Sequence, residues 1–234
     1  PKVLECCNPG WGQSIRPQEM INDAMQAKED PQLRPEFLQK SLNVFIASLR
    51  AWFDIEEFRA SDSKYSWTLK ELARLPIHWY GGSDLSKLYD LTAAAMFGHY
   101  NGVDIIIPHC WFPLAAATVK AHEDNIPLFG WKEDGWLDMS NDKTTNHSDV
   151  VRWYKHMRDD LGFRFRRIGH DRKFCTEYYV EMKQAHFSVK DQPQLMTRKS
   201  MGFRYLENSA KRGTLYYLHA EPFEYCVQNV RGIE

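Results

Sequence analysis

The chain has 234 residues, a length that fits one large domain or one domain with an appendage. Its 30 basic and 31 acidic side chains leave a net charge of -1, which excludes a broadly basic nucleic-acid binder and confines any phosphate-binding role to a local patch. The longest apolar runs, Leu91 to Phe97 and Val103 to Pro108, are too short to span a bilayer, and five cysteines without metal-site spacing fit a reducing compartment better than a disulfide framework.

Asn8-Pro-Gly-Trp-Gly opens the chain with a cluster of turn residues. Pro17 suits a first helical turn, and Met20, Ile21, Ala24 and Met25 follow at helical spacing. Leu38, Leu42, Phe45 and Leu49 form the apolar stripe of a second helix, and residues 61–66 are a polar break. Residues 1–70 are therefore predicted to be a helical linker or appendage. The main domain is predicted over residues 71–234, incomplete at its C-terminal end. The abrupt start at Pro1 and stop at Glu234 read as a piece of something longer.

From Leu75 the period changes. Residues 77–83 read as a strand, and residues 91–100 as a second one rich in small side chains. Asn101-Gly102 is a two-residue hairpin signal, after which residues 103–110 return as a third strand, with Pro108 ending its regular pairing. Residues 113–146 read as an excursion: a short helix over 113–122, then apolar islands around Trp131 and Trp136, with a small hairpin as one way to arrange them. Val150, Tyr154, Met157 and Leu161 mark a helix face closed by Gly162. Strand-like residues 163–169 follow, then a helix beginning near Lys173 with Phe174, Tyr178 and Met182 on one face. A short strand over 187–189, a helix over 195–212 closed by Gly213, a strand over 215–218 and a last helix over 222–229 complete the chain. An antiparallel meander followed by alternating helix and strand predicts an α/β fold, a mixed sheet flanked by helices.

Two carboxylates stand out. Asp84, in Gly-Gly-Ser-Asp, ends the first strand, and Asp171 ends the strand that follows the meander and the first long helix. If those strands are neighbours, both acids emerge at one edge of the sheet. Two bare carboxylates in close proximity repel each other, and a divalent cation removes the conflict. Magnesium and manganese prefer oxygen ligands and retain water. Two such ions roughly 3.5–4 Å apart can activate a water and stabilise the departing oxygen of a phosphodiester. Arg172 and Lys173 stand directly after Asp171, with Arg166 and Arg167 just before, a suitable setting for phosphate. The structural alternative is that Asp84 caps a turn and Asp171 caps the next helix. Asp90 is either a third charge near the site or an Asx-turn residue. His170 reads as a surface histidine, with substrate contact as the alternative, and His109-Cys110 as a strand-end pair. No Gly-x-x-x-x-Gly-Lys-Ser/Thr segment occurs, so no ATP-binding loop is recognisable. Further basic residues run through Arg152, Lys155, Arg158 and Arg164, and through Arg198, Lys199, Arg204, Lys211 and Arg212. They are either phosphate contacts or solvated helix faces.

Gly-Ser-Asp84-Leu-Ser-x-x-x-Asp90-Leu-Thr-Ala resembles the first active-site motif in the nuclease domain of tailed-bacteriophage terminase large subunits. Asn8-Pro-Gly-Trp-Gly-x-Ser with Phe37-x-x-x-x-Leu42-Asn43 resembles the segment that joins the packaging ATPase to that nuclease. Trp111-Phe-Pro, Ile126-Pro-Leu with Trp131, and Gly135-Trp-Leu resemble its middle insertion, and Ile168-Gly-His-Asp171 its second catalytic strand. Gln194, Met201, Leu206-Glu207 and Gly213-Thr-Leu resemble its later helix and strand. The resemblance implies an RNase H-like fold and a two-metal endodeoxyribonuclease using Mg²⁺ or Mn²⁺, with Asp84 and Asp171 as the first two catalytic carboxylates. It implies double-stranded concatemeric DNA as substrate. In the intact protein it further implies an ATPase domain, a portal and a small terminase subunit as partners, acting in the host-cell cytoplasm and not at a membrane. The family's third acid has no clear match through Glu234, although Glu221, Glu224 and Glu234 are available. The alternatives are another RNase H-like DNA processor of resolvase or integrase type, or a non-catalytic module docking on portal or capsid through residues 113–146.

Overall fold

The computed structural model describes residues 2–29, 33–42, 52–86, 90–123, 126–141, 144–171, 176–193 and 195–230. They divide into two compact units, Pro1–Glu56 with Glu224–Glu234, and Glu57–Phe223.

In the first unit α1 (Lys2–Cys7), α2 (Pro17–Glu29) and α3 (Arg34–Leu42) are short helices. Pro17 does occupy the first turn of α2, where its missing N–H is not needed. The Asn8 carboxamide donates to the carbonyls of Leu4 and Ser41, at 2.8 and 2.7 Å, and so fastens α1 to α3. Six residues are too few to display a helical period, and α1 was not legible in the sequence. Phe45 and Leu49, the second half of the apolar stripe read from the sequence, lie outside the described residues.

The second unit is built on a mixed sheet. Ahead of it come α4 (Ile55–Asp62) and α5 (Leu69–Arg74). A reciprocal cap starts α5: the Thr68 hydroxyl accepts from the Glu71 N–H, and the Glu71 carboxylate accepts from the Thr68 N–H. The strands are β1 (Trp79–Asp84), β2 (Thr92–Tyr100), β3 (Val103–Pro113), β4 (Leu137–Ser140), β5 (Phe165–His170), β6 (Val189–Asp191) and β7 (Leu215–Tyr216). Their spatial order is β4-β3-β2-β1-β5-β6, with β7 pairing β3. The first three form the expected antiparallel meander. Asn101 and Gly102 turn its second hairpin with φ of 48° and 81°, the left-handed pair a tight turn requires. From β5 onward the pairing is parallel, which completes the expected mixed sheet flanked by helices.

α8 (His147–Lys155), a π-turn over His156–Asp160 and α9 (Thr176–Gln184) complete the layer on one face. There Trp79, Met96, Tyr154, Met157, Phe163 and Ile168 are buried together, with Trp79 edge-on to Phe163 at 5.2 Å. The chain closes with α10 (Met196–Arg212), ended by left-handed Gly213 (φ 69°), then β7 and α11 (Glu221–Asn229).

Several expectations need correction. Residues 113–146 contain no hairpin among the described residues: after α6 (Leu114–Glu123) comes α7 (Leu128–Glu133), and β4 then pairs parallel to β3. The apolar islands are the buried points of these elements, Leu128 and Trp131 on α7 and Leu137 on β4, with Gly135 (φ 80°) making the turn between them. Pro108 does not end β3 but pairs with Ala95 inside it. It falls between the stretch of β3 that pairs β7 and the stretch that pairs β4, so on that edge a missing N–H costs no ladder bond. The strand read over 187–189 forms two residues later, and the one read over 215–218 stops at Tyr216. Leu218 and His219 there take φ of 59° and 56° and break the extended run.

Candidate active site

β1 and β5 are parallel neighbours, with Gly81 opposite Ile168, Gly82 opposite Gly169 and Ser83 opposite His170. The next residues are Asp84, the last of β1, and Asp171, the first after β5. Adjacent strands lie about 4.8 Å apart, so the two acids leave the sheet side by side at one edge. Asp84 is exposed and Asp171 half-buried. Asp90 is exposed just ahead of β2, whose Ala93 stands opposite Asp84. Among the described residues no three His, Cys, Asp or Glu side chains form a group that could hold a metal ion, so Asp90 is not gathered with the other two. Glu221 heads α11 without joining them either, Glu224 falls in the other compact unit, and Glu234 lies outside the described residues, as do Arg172 and Lys173.

The register also accounts for the arginines. Trp79 pairs Phe165, but Tyr80 pairs Arg167, so Arg166 is the extra residue of a bulge. The bulge lets Ile168 keep its place in the core while Arg167 shares a face with Tyr80, Gly82 and Asp84. Arg164, Arg166 and Arg167 are all exposed. Other members of the basic group have local partners: Arg152 pairs with Asp149, and Arg158 pairs with Asp159 and lies over the Phe187 ring.

Hydroxyl groups hold the end of β1 from the packed side. The Tyr154 hydroxyl donates to the Gly82 carbonyl at 2.9 Å. The Ser83 hydroxyl lies 3.2 Å from that of Tyr154 and 3.0 Å from that of Tyr178. Burial pushes the Tyr154 phenol well above its usual range, so it stays a neutral donor. Beyond Asp84 the chain is tied down again: the Ser86 N–H donates to the Thr92 hydroxyl, which donates back to the Ser86 carbonyl, and His147 Nε2 lies 3.1 Å from that same carbonyl. His170 is not on the surface, being only 3% exposed. Its Nδ1 sits 2.9 Å from the Asp171 carbonyl. Its Nε2 lies 3.2 Å from Asp191 Oδ1, an ion-pair distance without the alignment of a hydrogen bond. Its ring packs on Tyr178 and Tyr179.

No protein-family model matches the chain. Over 149 residues it is 26% identical to the large terminase subunit of Enterobacteria phage HK97, covering 62% of this chain and 27% of that protein. The chain is homologous to a phage large terminase. It is also 24% identical to protein YmfN of Escherichia coli strain K12 over 159 residues, 64% of this chain and 33% of that one. The crystal structure of the HK97 large terminase has the same fold, with a TM-score of 0.65 over 97% of this chain and 46% of that chain, at 19% identity. The chain therefore spans less than half the length of the solved terminase it matches.

On this terminase-like sheet, sequence reasoning missed Ser83, Tyr154 and Tyr178 as supports of the Asp84 strand. It had placed both tyrosines on buried helix faces, and the usable signal was that a buried tyrosine hydroxyl requires a partner. It also missed the tie between His109 and Asp138, 3.1 Å apart, which links β3 to β4 while the His109 ring stacks on Trp153. That hydrogen bond holds the Asp138 carboxyl below its usual range.

Proposed function

We propose that this chain is the DNA-cutting part of a viral packaging terminase, a metal-dependent endonuclease that hydrolyses phosphodiesters of concatemeric phage DNA. Support comes from one observation above all: two carboxylates side by side at the C-terminal ends of parallel strands, in a chain homologous to a large terminase. Hard oxygen donors of this kind suit Mg²⁺ or Mn²⁺, which binds one or two carboxylates and completes its shell with water and substrate phosphate oxygens. Asp84 and Asp171 would hold the metal. Two ions bound there supply an activated water and charge stabilisation for the leaving oxygen.

The chain's own residues do the rest. Ser83, Tyr154 and Tyr178 fix the strand that presents Asp84, and His170 fixes the backbone of Asp171. Arg166 and Arg167 hold the DNA backbone, which positions the duplex without reading bases, so sequence preference is weak. An ATPase domain within a longer protein, and a portal and a small terminase subunit as separate partners, would complete its work in the host-cell cytoplasm.

The test is plasmid cleavage in Mn²⁺ by Asp84→Asn. Loss of a mere supporting partner costs up to about 100-fold, and loss of a ligand is expected to exceed that while the melting temperature stays at the wild-type value. Cleavage by Asp84→Asn at the wild-type rate would contradict the proposal.

A further inference from the structure

The sheet has a second face, opposite the one packed by α8 and α9. α10 covers it at β2 and β3, where the Tyr205 ring meets Phe97 edge-on at 6.3 Å, and leaves it open over β1, β5 and β6. The registers lay it out in rows. One row holds Phe97, Tyr80 and Arg167. The next holds Ala95, Gly82, Gly169 and Lys190. The third holds Ala93 and Asp84, with Asp171 following on β5. Tyr80 is 53% exposed, and Gly82, Arg167 and Lys190 are exposed as well. A basic rim thus borders a floor of glycine and alanine leading straight to the two carboxylates.

Gly82 has no structural reason to be glycine. Its φ lies outside the left-handed region, and a Cβ built on it would meet nothing within 4 Å. Gly81 differs: a Cβ there would come within 2.8 Å of Ile168 Cγ1 and 3.0 Å of the Tyr154 ring and hydroxyl. Glycine inside a strand sacrifices backbone order and side-chain packing, and it persists where another backbone or a ligand must come close. At Gly82 no part of the described chain comes close.

We propose that the open part of this face, over β1, β5 and β6, is the seat of a DNA duplex, and that Gly82 is bare so that a phosphate backbone can lie flat between Tyr80 and Asp84. The inference deepens the nuclease reading and rests on it. Arg167 and Lys190 complement phosphate. A protein partner would call for an apolar core to the patch, whereas the two rows nearest the carboxylates carry only glycine, alanine, lysine and aspartate. Asp84 and Asp171 would repel a bare phosphate at the near end, so duplex binding is expected to strengthen with a divalent cation.

The experiment compares the chain with Gly82→Val and Lys190→Ala. Binding of a fluorescein-labelled duplex is followed by anisotropy in Ca²⁺, and plasmid cleavage and bis(p-nitrophenyl) phosphate hydrolysis are followed in Mn²⁺. For Gly82→Val, duplex affinity and the ratio of plasmid to small-ester hydrolysis are each expected to fall about tenfold, the effect of losing close backbone contact. A ratio equal to that of the wild type overturns the inference. If Gly82→Val melts below the wild type, Lys190→Ala decides: loss of one phosphate contact lowers the salt slope of duplex binding by about one, and an unchanged slope overturns the proposal. A wild-type chain that binds duplex but hydrolyses neither substrate overturns the nuclease reading instead, and the seat is then judged on binding alone.

Discussion

Gly81 and Gly82 are neighbours in sequence and opposites in environment. Gly81 faces the packed side of the sheet, where Ile168 and Tyr154 leave no room for a Cβ, while Gly82 faces an open side where a Cβ would touch nothing. The same alternation runs along the whole strand. Trp79 and Ser83 go inward, to the Phe163 ring and to the hydroxyls of Tyr154 and Tyr178. Tyr80 and Asp84 go outward. A period of two residues therefore separates holding from acting. One face of β1 fixes the strand to its helices, and the other presents charge and space. A one-residue slip would exchange the two sets, so the β5 bulge at Arg166 matters: it sets Arg167 level with Tyr80 without displacing Ile168 from the core.

The largest expected effect lies on the acting face. Asp171→Ala should lose more than about 100-fold in plasmid cleavage in Mn²⁺ with an unchanged urea midpoint, and a variant that unfolds early would move Asp171 to the holding side. Next come the paired glycine substitutions. Gly81→Ala should lose about 1–3 kcal/mol in urea unfolding through overpacking. Gly82→Ala should be neutral or gain up to about 1 kcal/mol from reduced freedom of the unfolded chain. Equal effects at the two positions would erase the distinction between the faces. Tyr154→Phe removes a buried donor from the Gly82 carbonyl and should cost about 1 kcal/mol, with cleavage falling further than stability alone explains.

The smallest effect is at Asp138, away from β1. Its carboxyl is held below the ordinary aspartate value of 3.8 by the hydrogen bond from His109. Its contribution to stability is therefore present above pH 3.8 and lost as pH falls through the lowered value. Asp138→Asn should be slightly less stable than the wild type above that window and should converge with it in stronger acid, as read from urea midpoints across pH.

Much of this arrangement was legible from residues alone. Asn101-Gly102 marked the hairpin, Gly213 the end of α10, and the meander with its alternating helices gave the mixed sheet. The same pattern brought Asp84 and Asp171 to one edge once their strands were taken as neighbours. What escaped has physical causes. α1 and β4 are too short to carry a period, and β4 pairs with β3 across the intervening helices α6 and α7. Tyr154 and Tyr178 were read as apolar because a helix-face pattern counts rings and ignores hydroxyls, whose partner Ser83 is 71 and 95 residues away. His170 looked like a surface residue beside a charge, yet the parallel pairing of β6 covers it, placing Asp191 opposite. The openness around Gly82 is a property of the assembled sheet, and no local spacing encodes it.

The central claim is that the Asp84 and Asp171 carboxylates share a hard cation. Crystals of the wild-type chain soaked in manganese, with diffraction recorded near the manganese absorption edge, test it most directly. Anomalous density bridging the two carboxylates is the expected result. Crystals that take up manganese elsewhere while this pair stays empty would contradict it.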